Sequence, residues 1–254
     1  MPQFIRRSVS RFTRPNRIAI LLLVLVCLRA IGWTQTPPAD PDFEAALRLL
    51  EEGRTTLEDK SLSDARAALT RLTQQHPENG QYFYQLARAN HYRVEAYAAH
   101  GDNKSAERAL EEAIANVQQS LKLNEKSAEA HSLLADLYGR KISFGIGMFA
   151  GPKYGPKVQA ENRRAFELDA NNSVAFASRG RQYLESPKMF GGDVDKAIAD
   201  FRKAIQIDAK SDENFVWLAL ALRKKGDNAG ADQAMGEALR LSPRNAFARQ
   251  AAKK

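Results

Sequence analysis

Asp193-Val-Asp-Lys-Ala-Ile-Ala-Asp-Phe-Arg-Lys-Ala-Ile-Gln-Ile-Asp208 and Asn228-Ala-Gly-Ala-Asp-Gln-Ala-Met-Gly-Glu-Ala-Leu-Arg-Leu-Ser-Pro243 are two versions of one pattern. Ala197, Phe201 and Ala204 of the first correspond to Ala231, Met235 and Ala238 of the second, each pair 34 residues apart. A fixed period of this length marks stacked supersecondary units rather than a single closed core. Apolar residues at i, i+4 and i+7 place the pattern on the buried stripe of a helix.

The same small or apolar position recurs upstream at Leu72, Ser120 and Ala165. A second pattern lies between these helices: Phe83, Leu86, Ala87, Asn90; His131, Leu134, Ala135, Tyr138; Phe176, Arg179, Gly180, Tyr183; and Phe215, Leu218, Ala219, Leu222. The small third residue of each set lets a partner helix approach, and the bulky ones fill the space around it. From Leu72 to Leu86, Ser120 to Leu134, Ala165 to Arg179 and Ala204 to Leu218 the separation is always 14 residues. The full spacings are 48, 45, 39 and 34, so all length variation falls within repeats, between first and second helix.

These residues resemble the tetratricopeptide repeat (TPR), whose first helix reads W-x2-L-G-x2-Y and whose second reads A-x3-F-x2-A before a proline turn. Only two of the five tails, those ending in Pro77 and Pro243, keep the proline. The resemblance implies an all-α solenoid of helix-turn-helix repeats with inserted intra-repeat turns. Helices are expected near 42–57, 63–75, 80–98, 104–123, 127–141, 157–168, 172–185, 194–207, 212–225, 228–240 and 244–252. Pro152 and Pro156 are expected outside them. Gly101-Asp102, Gly192-Asp193 and Gly226-Asp227 are expected to end first helices and cap second ones.

The formal charge of +8 would suit a nucleic-acid partner, but its distribution does not. Arg6, Arg7, Arg11, Arg14, Arg17 and Arg29 sit in residues 1–39 with no acid, leaving 32 basic against 30 acidic residues beyond. No nucleic acid is therefore expected as a partner. Five arginines precede the apolar run Ile18–Leu28, which is too short to span a bilayer as a helix and fits a signal-peptide core. An uncleaved anchor over 18–33, with Arg29 snorkelling, is the alternative. The expected organisation is a signal peptide or anchor (1–36), a linker (37–41), a solenoid of about five repeats (42–243) and a capping helix (244–254). The protein is expected to be exported, to the periplasm or anchored at the inner membrane, touching membrane only through an uncleaved N-terminus. Cys27, the single cysteine, lies inside the apolar run, so no intrachain disulfide can form. Val26 before it departs from the lipoprotein pattern.

No catalytic or metal motif is present, and no enzyme activity, cofactor or metal is expected. Gly145-Ile-Gly147 precedes Gly151 at the wrong spacing for a dinucleotide fingerprint and lacks the βαβ context. His131 stands where the repeat places an aromatic, which points to packing. A protein or peptide partner is expected in the concave groove, where helical geometry directs Tyr84, Arg88, His91, Tyr92, Asp136, Arg140, Arg181, Arg223 and Lys224. That set is aromatic and net basic, which suits an acidic segment. The lysine and asparagine pattern of peptide-carboxylate-clamp TPRs is not reproduced. A second expectation concerns Met148-Phe149-Ala-Gly151 and Met189-Phe190-Gly-Gly192, which occupy the same turn in adjacent repeats. Met148, Phe149, Met189 and Phe190 could form an apolar lip for a partner or small ligand. The layout also resembles secreted bacterial TPR proteins, the accessory TPR component of some transporters that depend on substrate-binding proteins, and the regulator-of-microtubule-dynamics family.

Overall fold

The computed structural model describes residues 40–144 and 149–253, so residues 1–39, with the expected signal or anchor, and Met148 lie outside the described residues. Among the described residues there are eleven α-helices and no strand: α1 (Pro41–Thr56), α2 (Asp59–Gln75), α3 (Gly80–Ala99), α4 (Asn103–Leu123), α5 (Ala128–Phe144), α6 (Ala150–Leu168), α7 (Ser173–Glu185), α8 (Val194–Ile207), α9 (Asp212–Lys225), α10 (Asn228–Leu241) and α11 (Ala246–Ala251). None of these helices is long and apolar enough to cross a membrane. Consecutive helices pack as hairpins, α1 with α2 through α9 with α10, and α11 closes the C-terminal end. The described residues form an α-solenoid of five helical hairpins.

The packing follows the repeat pattern. Ala87, Ala135 and Ala219 are fully buried, as is the second-helix series Ala165, Ala204 and Ala238. At Gly180 the reason for a small residue is direct: a Cβ there would lie 2.7 Å from the ring of Phe201, itself fully buried. Arg179 stands where the other repeats have leucine. It is accommodated by a bidentate pair with Asp200 (2.7 and 2.8 Å) and by stacking its guanidinium over the Phe166 ring, 4.1 Å from the centroid. His131 does more than fill space: Nδ1 meets the Glu161 carboxylate at 2.6 Å, tying α5 to α6.

Asp102, Asp193 and Asp227 cap α4, α8 and α10 by accepting from backbone N–H groups of the first turn. Gly101 (φ 75°) and Gly226 (φ 93°) take the left-handed exit. In the third joint Gly191 (φ 90°), not Gly192, is left-handed; a Cβ on Gly192 would strike the Ser186 carbonyl at 1.9 Å.

The inserted residues are mostly not turns. Relative to the 14-residue α9 and α10, α3 has 20 residues and α4 has 21, so nearly all of the 14-residue insert lengthens helices. The next repeat splits its insert between longer helices and the connection. There α6 begins at Ala150, ahead of the expected start, and takes in Pro152 and Pro156. Pro152 sits at the third helical position, where the amide has no intrahelical acceptor to lose. Pro156 forfeits one bond. The segment is held from outside by Tyr154 stacked on Tyr138 (5.8 Å between centroids) and by buried Val158. The repeat of α7 and α8 keeps its insert as a turn, with a 3-10 helix at Lys188–Phe190.

Candidate functional site

The first helices face inward, and the last helix reaches the first. α11 packs against α1, and two ion pairs join elements nearly the length of the solenoid apart: Arg54 to Asp212 at 3.0 Å and Arg244 to Glu52 at 2.8 Å. Asn245 donates to Asp212 at 2.8 Å, joining α11 to the same network. The solenoid thus closes on itself around a cavity of about 440 Å³.

Every first helix contributes to its wall: Arg54 from α1, Tyr84 to Ala99 from α3, Leu133 to Arg140 from α5, Val174 to Glu185 from α7, and Glu213 and Trp217 from α9, with Phe247 from α11. Tyr84, Arg88, His91, Tyr92, Asp136, Arg140 and Arg181 all line it. Arg223 and Lys224 lie outside it. Arg223 donates to the Ala251 carbonyl at 2.9 Å and the Lys224 ammonium to the Leu184 carbonyl, so one holds the end of α11 and the other the end of α7. Leu57, Trp217 and Phe247 are wall residues that the repeat pattern does not single out. Leu57 is the one described non-glycine residue with positive φ (55°), at the α1 exit where later repeats have glycine.

The wall is not net basic, because its arginines are largely matched. Arg140 meets Glu95 at 2.7 Å, and Arg181 makes a bidentate pair with Asp136 while covering the Trp217 ring, 5.5 Å from the centroid. Burial opposes ionisation of Glu95, but Arg140 and His91 outweigh it and hold the carboxyl down to about 2. Burial also opposes the charge on Arg181, and Asp136 more than offsets this. Arg54 is shared between Glu51, Asp212 and Glu213.

Two charged wall residues make no ion pair within 4.0 Å among the described residues. Arg88 donates to the Gln85 side chain at 2.9 Å and only weakly to the Tyr92 hydroxyl at 3.5 Å. Glu185, the last residue of α7, is exposed and accepts no hydrogen bond from described residues. Burial pushes the Tyr92 phenol up.

The expected lip is partly visible. Phe149, Met189 and Phe190 are 78%, 83% and 61% exposed. Among the described residues no ring contact joins Phe149 to Phe190. Nor is any described cluster of three or more His, Cys, Asp or Glu side chains arranged to hold a metal.

The sequence model of the tetratricopeptide repeat matches residues 189–211 and 213–245. Residues 189–245 carry tetratricopeptide repeats. Among solved structures, the chain is similar in fold to TTC0263, a TPR protein of Thermus thermophilus, at 17% identity and a TM-score of 0.62, over 84% of this chain and 96% of that one. Looser overlays include YrrB, described as a TPR protein with an unusual peptide-binding site (15% identity, 87% and 94% covered, TM-score 0.40). Another is MamA of Desulfovibrio magneticus (14% identity, 82% and 98% covered, TM-score 0.40). No curated protein sequence matches the chain. The TPR fold supports a protein-interaction scaffold.

Proposed function

We propose that this protein is a non-enzymatic scaffold of the cell envelope that holds a protein or peptide segment in the groove enclosed by its first helices. The observation that carries this reading is the continuous wall of aromatic and guanidinium side chains from α1, α3, α5, α7, α9 and α11. Aromatic and arginine side chains supply most of the energy of protein interfaces, the former through area and the latter through bidentate hydrogen bonds. The basic n-region and apolar run of residues 1–28 support export.

A photocrosslinking residue in place of Trp217, inside the wall, tests the reading in intact cells. One or a few reproducible protein adducts are expected, and substitution at exposed Gln233 should give none. Equal or random labelling from both positions would refute groove binding. Fractionation with N-terminal sequencing of the mature chain tests the location, and a cytosolic pool with residues 1–36 retained would refute it.

The exposure of Phe149, Met189 and Phe190 favours a second reading, an accessory component of a transport system that uses the insert edge to hold a small ligand. Phe149→Ala with Phe190→Ala should leave the helical signal intact and abolish ligand capture. Full capture by this double variant would exclude the edge.

A further inference from the structure

Five large apolar side chains stand exposed among the described residues. Leu123 and Val174 are only 39% and 38% exposed, whereas Phe149, Met189 and Phe190 project much further. Those three sit at two connections, Phe149 just ahead of α6 and Met189-Phe190 between α7 and α8. The Arg181–Asp136 pair sets α7 alongside α5 one repeat on, so both connections leave these helices on one edge of the solenoid.

The second connection is firmly held. Phe190 and Gly192 donate to the Pro187 carbonyl at 2.9 and 3.1 Å, and Asp193 donates to the Tyr183 carbonyl at 2.9 Å, fastening the turn to α7. Gly191 takes a φ of 90°, and Gly192 has no room for a Cβ beside Ser186. A turn fixed this closely keeps Met189 and Phe190 in water instead of folding them onto the helices. They add little to the core, and apolar surface of this kind marks a contact site.

The charges beside them are mostly positive. Lys188 directly precedes the pair. Lys153 and Lys157 follow Phe149 by four and eight residues on the same face of α6, their ammoniums 5.1 and 5.7 Å from the centroid of the Tyr154 ring. All three lysines are exposed, and none joins an ion pair among the described residues. Residues 149–157 contain no acid. Asp193 caps α8 and Asp195 pairs with Lys225 at 2.5 Å, which leaves Glu185 as the unpaired acid of the second connection. The lysines are hydrated as they stand; their effect is to attract an anionic surface over the screening length, about 8 Å at physiological salt. No described ring contact gathers Phe149 and Phe190 into one patch. Separate apolar tips backed by lysines suit a fluid interface, which conforms to each tip while its headgroups receive the ammoniums.

We propose that this edge rests on an anionic bilayer, with Phe149, Met189 and Phe190 entering the headgroup region and Lys153, Lys157 and Lys188 lying among the lipid phosphates. This goes beyond the scaffold reading and adds a membrane contact to the one expected of an uncleaved N-terminus. The cavity wall uses none of these six residues, so lipid docking and groove binding draw on different side chains.

A tryptophan placed on the turn tests this. Phe190→Trp in the full chain, with Trp33→Phe and Trp217→Phe, leaves a single indole at the turn; a companion chain carries it at exposed Gln233 instead. Each is mixed with vesicles of phosphatidylcholine, alone or with phosphatidylglycerol, in which some acyl chains carry bromine. With the anionic vesicles, emission from position 190 should shift to the blue and be quenched, and emission from position 233 should do neither. Adding Lys153→Glu, Lys157→Glu and Lys188→Glu should raise the lipid concentration for half-quenching about tenfold or more, and added salt should act in the same direction. Adding Phe149→Ser and Met189→Ser should raise it by a similar factor while the helical spectrum is unchanged. Equal quenching at both positions, quenching as strong from neutral vesicles, or none at position 190 overturns the proposal and leaves the groove reading standing.

Discussion

Arg54→Gln should open the ring at its seam. The Arg54 side chain retains 10% exposure and Asp212 retains 7%, so this pair is screened from water where it closes α1 on α9. Removing one partner of a buried pair commonly costs about 3–5 kcal/mol, because a charge is left without its counter-charge. Asp212 keeps the Asn245 amide at 2.8 Å and the Glu213 backbone N–H at 3.0 Å, which reduces the loss to about 2–3 kcal/mol. The second seam pair, Arg244–Glu52, is 62% and 49% exposed on its two sides, and Arg244→Gln should change stability by less than about 0.5 kcal/mol. Spin labels on cysteines replacing Leu49 and Arg249, with Cys27→Ser, report the separation of the two ends. In the parent protein a single narrow distance is expected, insensitive to salt. In Arg54→Gln the distribution should broaden and lengthen while α1 amides exchange faster and the rest of the solenoid keeps its protection, since solenoid repeats lose structure from their ends. An unchanged distance together with unchanged α1 exchange would refute the seam as the closing element. A loss from Arg244→Gln as large as from Arg54→Gln would refute the burial argument.

Three further outcomes follow from the packing and the charges. Gly180→Ala gains about 1 kcal/mol of helix propensity but forces the Phe201 ring aside, so a net loss of about 1 kcal/mol is expected in urea unfolding, whereas Gly236→Ala, with open space around it, should gain about 0.5–1 kcal/mol. Arg179→Leu alone should lose about 1–2 kcal/mol by stranding Asp200, and Arg179→Leu with Asp200→Leu should recover most of it; no recovery would mean the guanidinium stacking on Phe166 matters more than the pair. Glu95 has a folded-state value depressed from 4.5 to about 2, so the stability it confers is complete above about 4.5 and is lost as pH falls through about 2. Replacing Arg140 by Gln should move that loss upward toward 4.5 in acid-titration of the unfolding midpoint, and an unmoved profile would show that Arg140 is not the cause.

The joint between repeats was legible because it is local. Its 14 residues place the same small and apolar side chains in contact each time, and Gly180 under Phe201 is the clearest instance. The start of α6 was not legible, since prolines at 152 and 156 argue against helix on local grounds, and what holds the segment is Tyr138 from the preceding helix. The groove face was legible up to a point. Helical geometry brings seven of the nine expected groove residues to one cavity, but Arg223 and Lys224 occupy the same register in the last full repeat, where the neighbours are the ends of α11 and α7. The net charge of the wall escapes the pattern for a similar reason. The matching carboxylates lie one repeat away, Glu95 for Arg140 and Asp136 for Arg181, each 45 positions earlier, and periodicity does not announce such pairs. Ring closure depends on residues 158 and 192 positions apart and has no local signature.

The inserts bear on the cavity more than on the edge. A 14-residue helix is about 21 Å long and a 20-residue one about 30 Å, so α3 raises its side of the wall by roughly 9 Å. The added turns carry Glu95, Ala98 and Ala99 into the cavity, and without them the Arg140 rung would have no acceptor. Seven residues make nearly two turns and rotate a face by only about 20°, so adding about that number to each helix of a hairpin preserves which side faces inward. This gives the 14-residue insert a reason for its size. Removing about seven residues from each of α3 and α4 should therefore leave a folded solenoid of unchanged repeat register that has lost the Glu95–Arg140 rung, and its stability should no longer fall as pH drops through about 2. Removing five from each rotates the face by about 140° and so turns much of the outer face inward, and that variant should unfold. If both deletions behave alike, helix extension is not what shapes the wall.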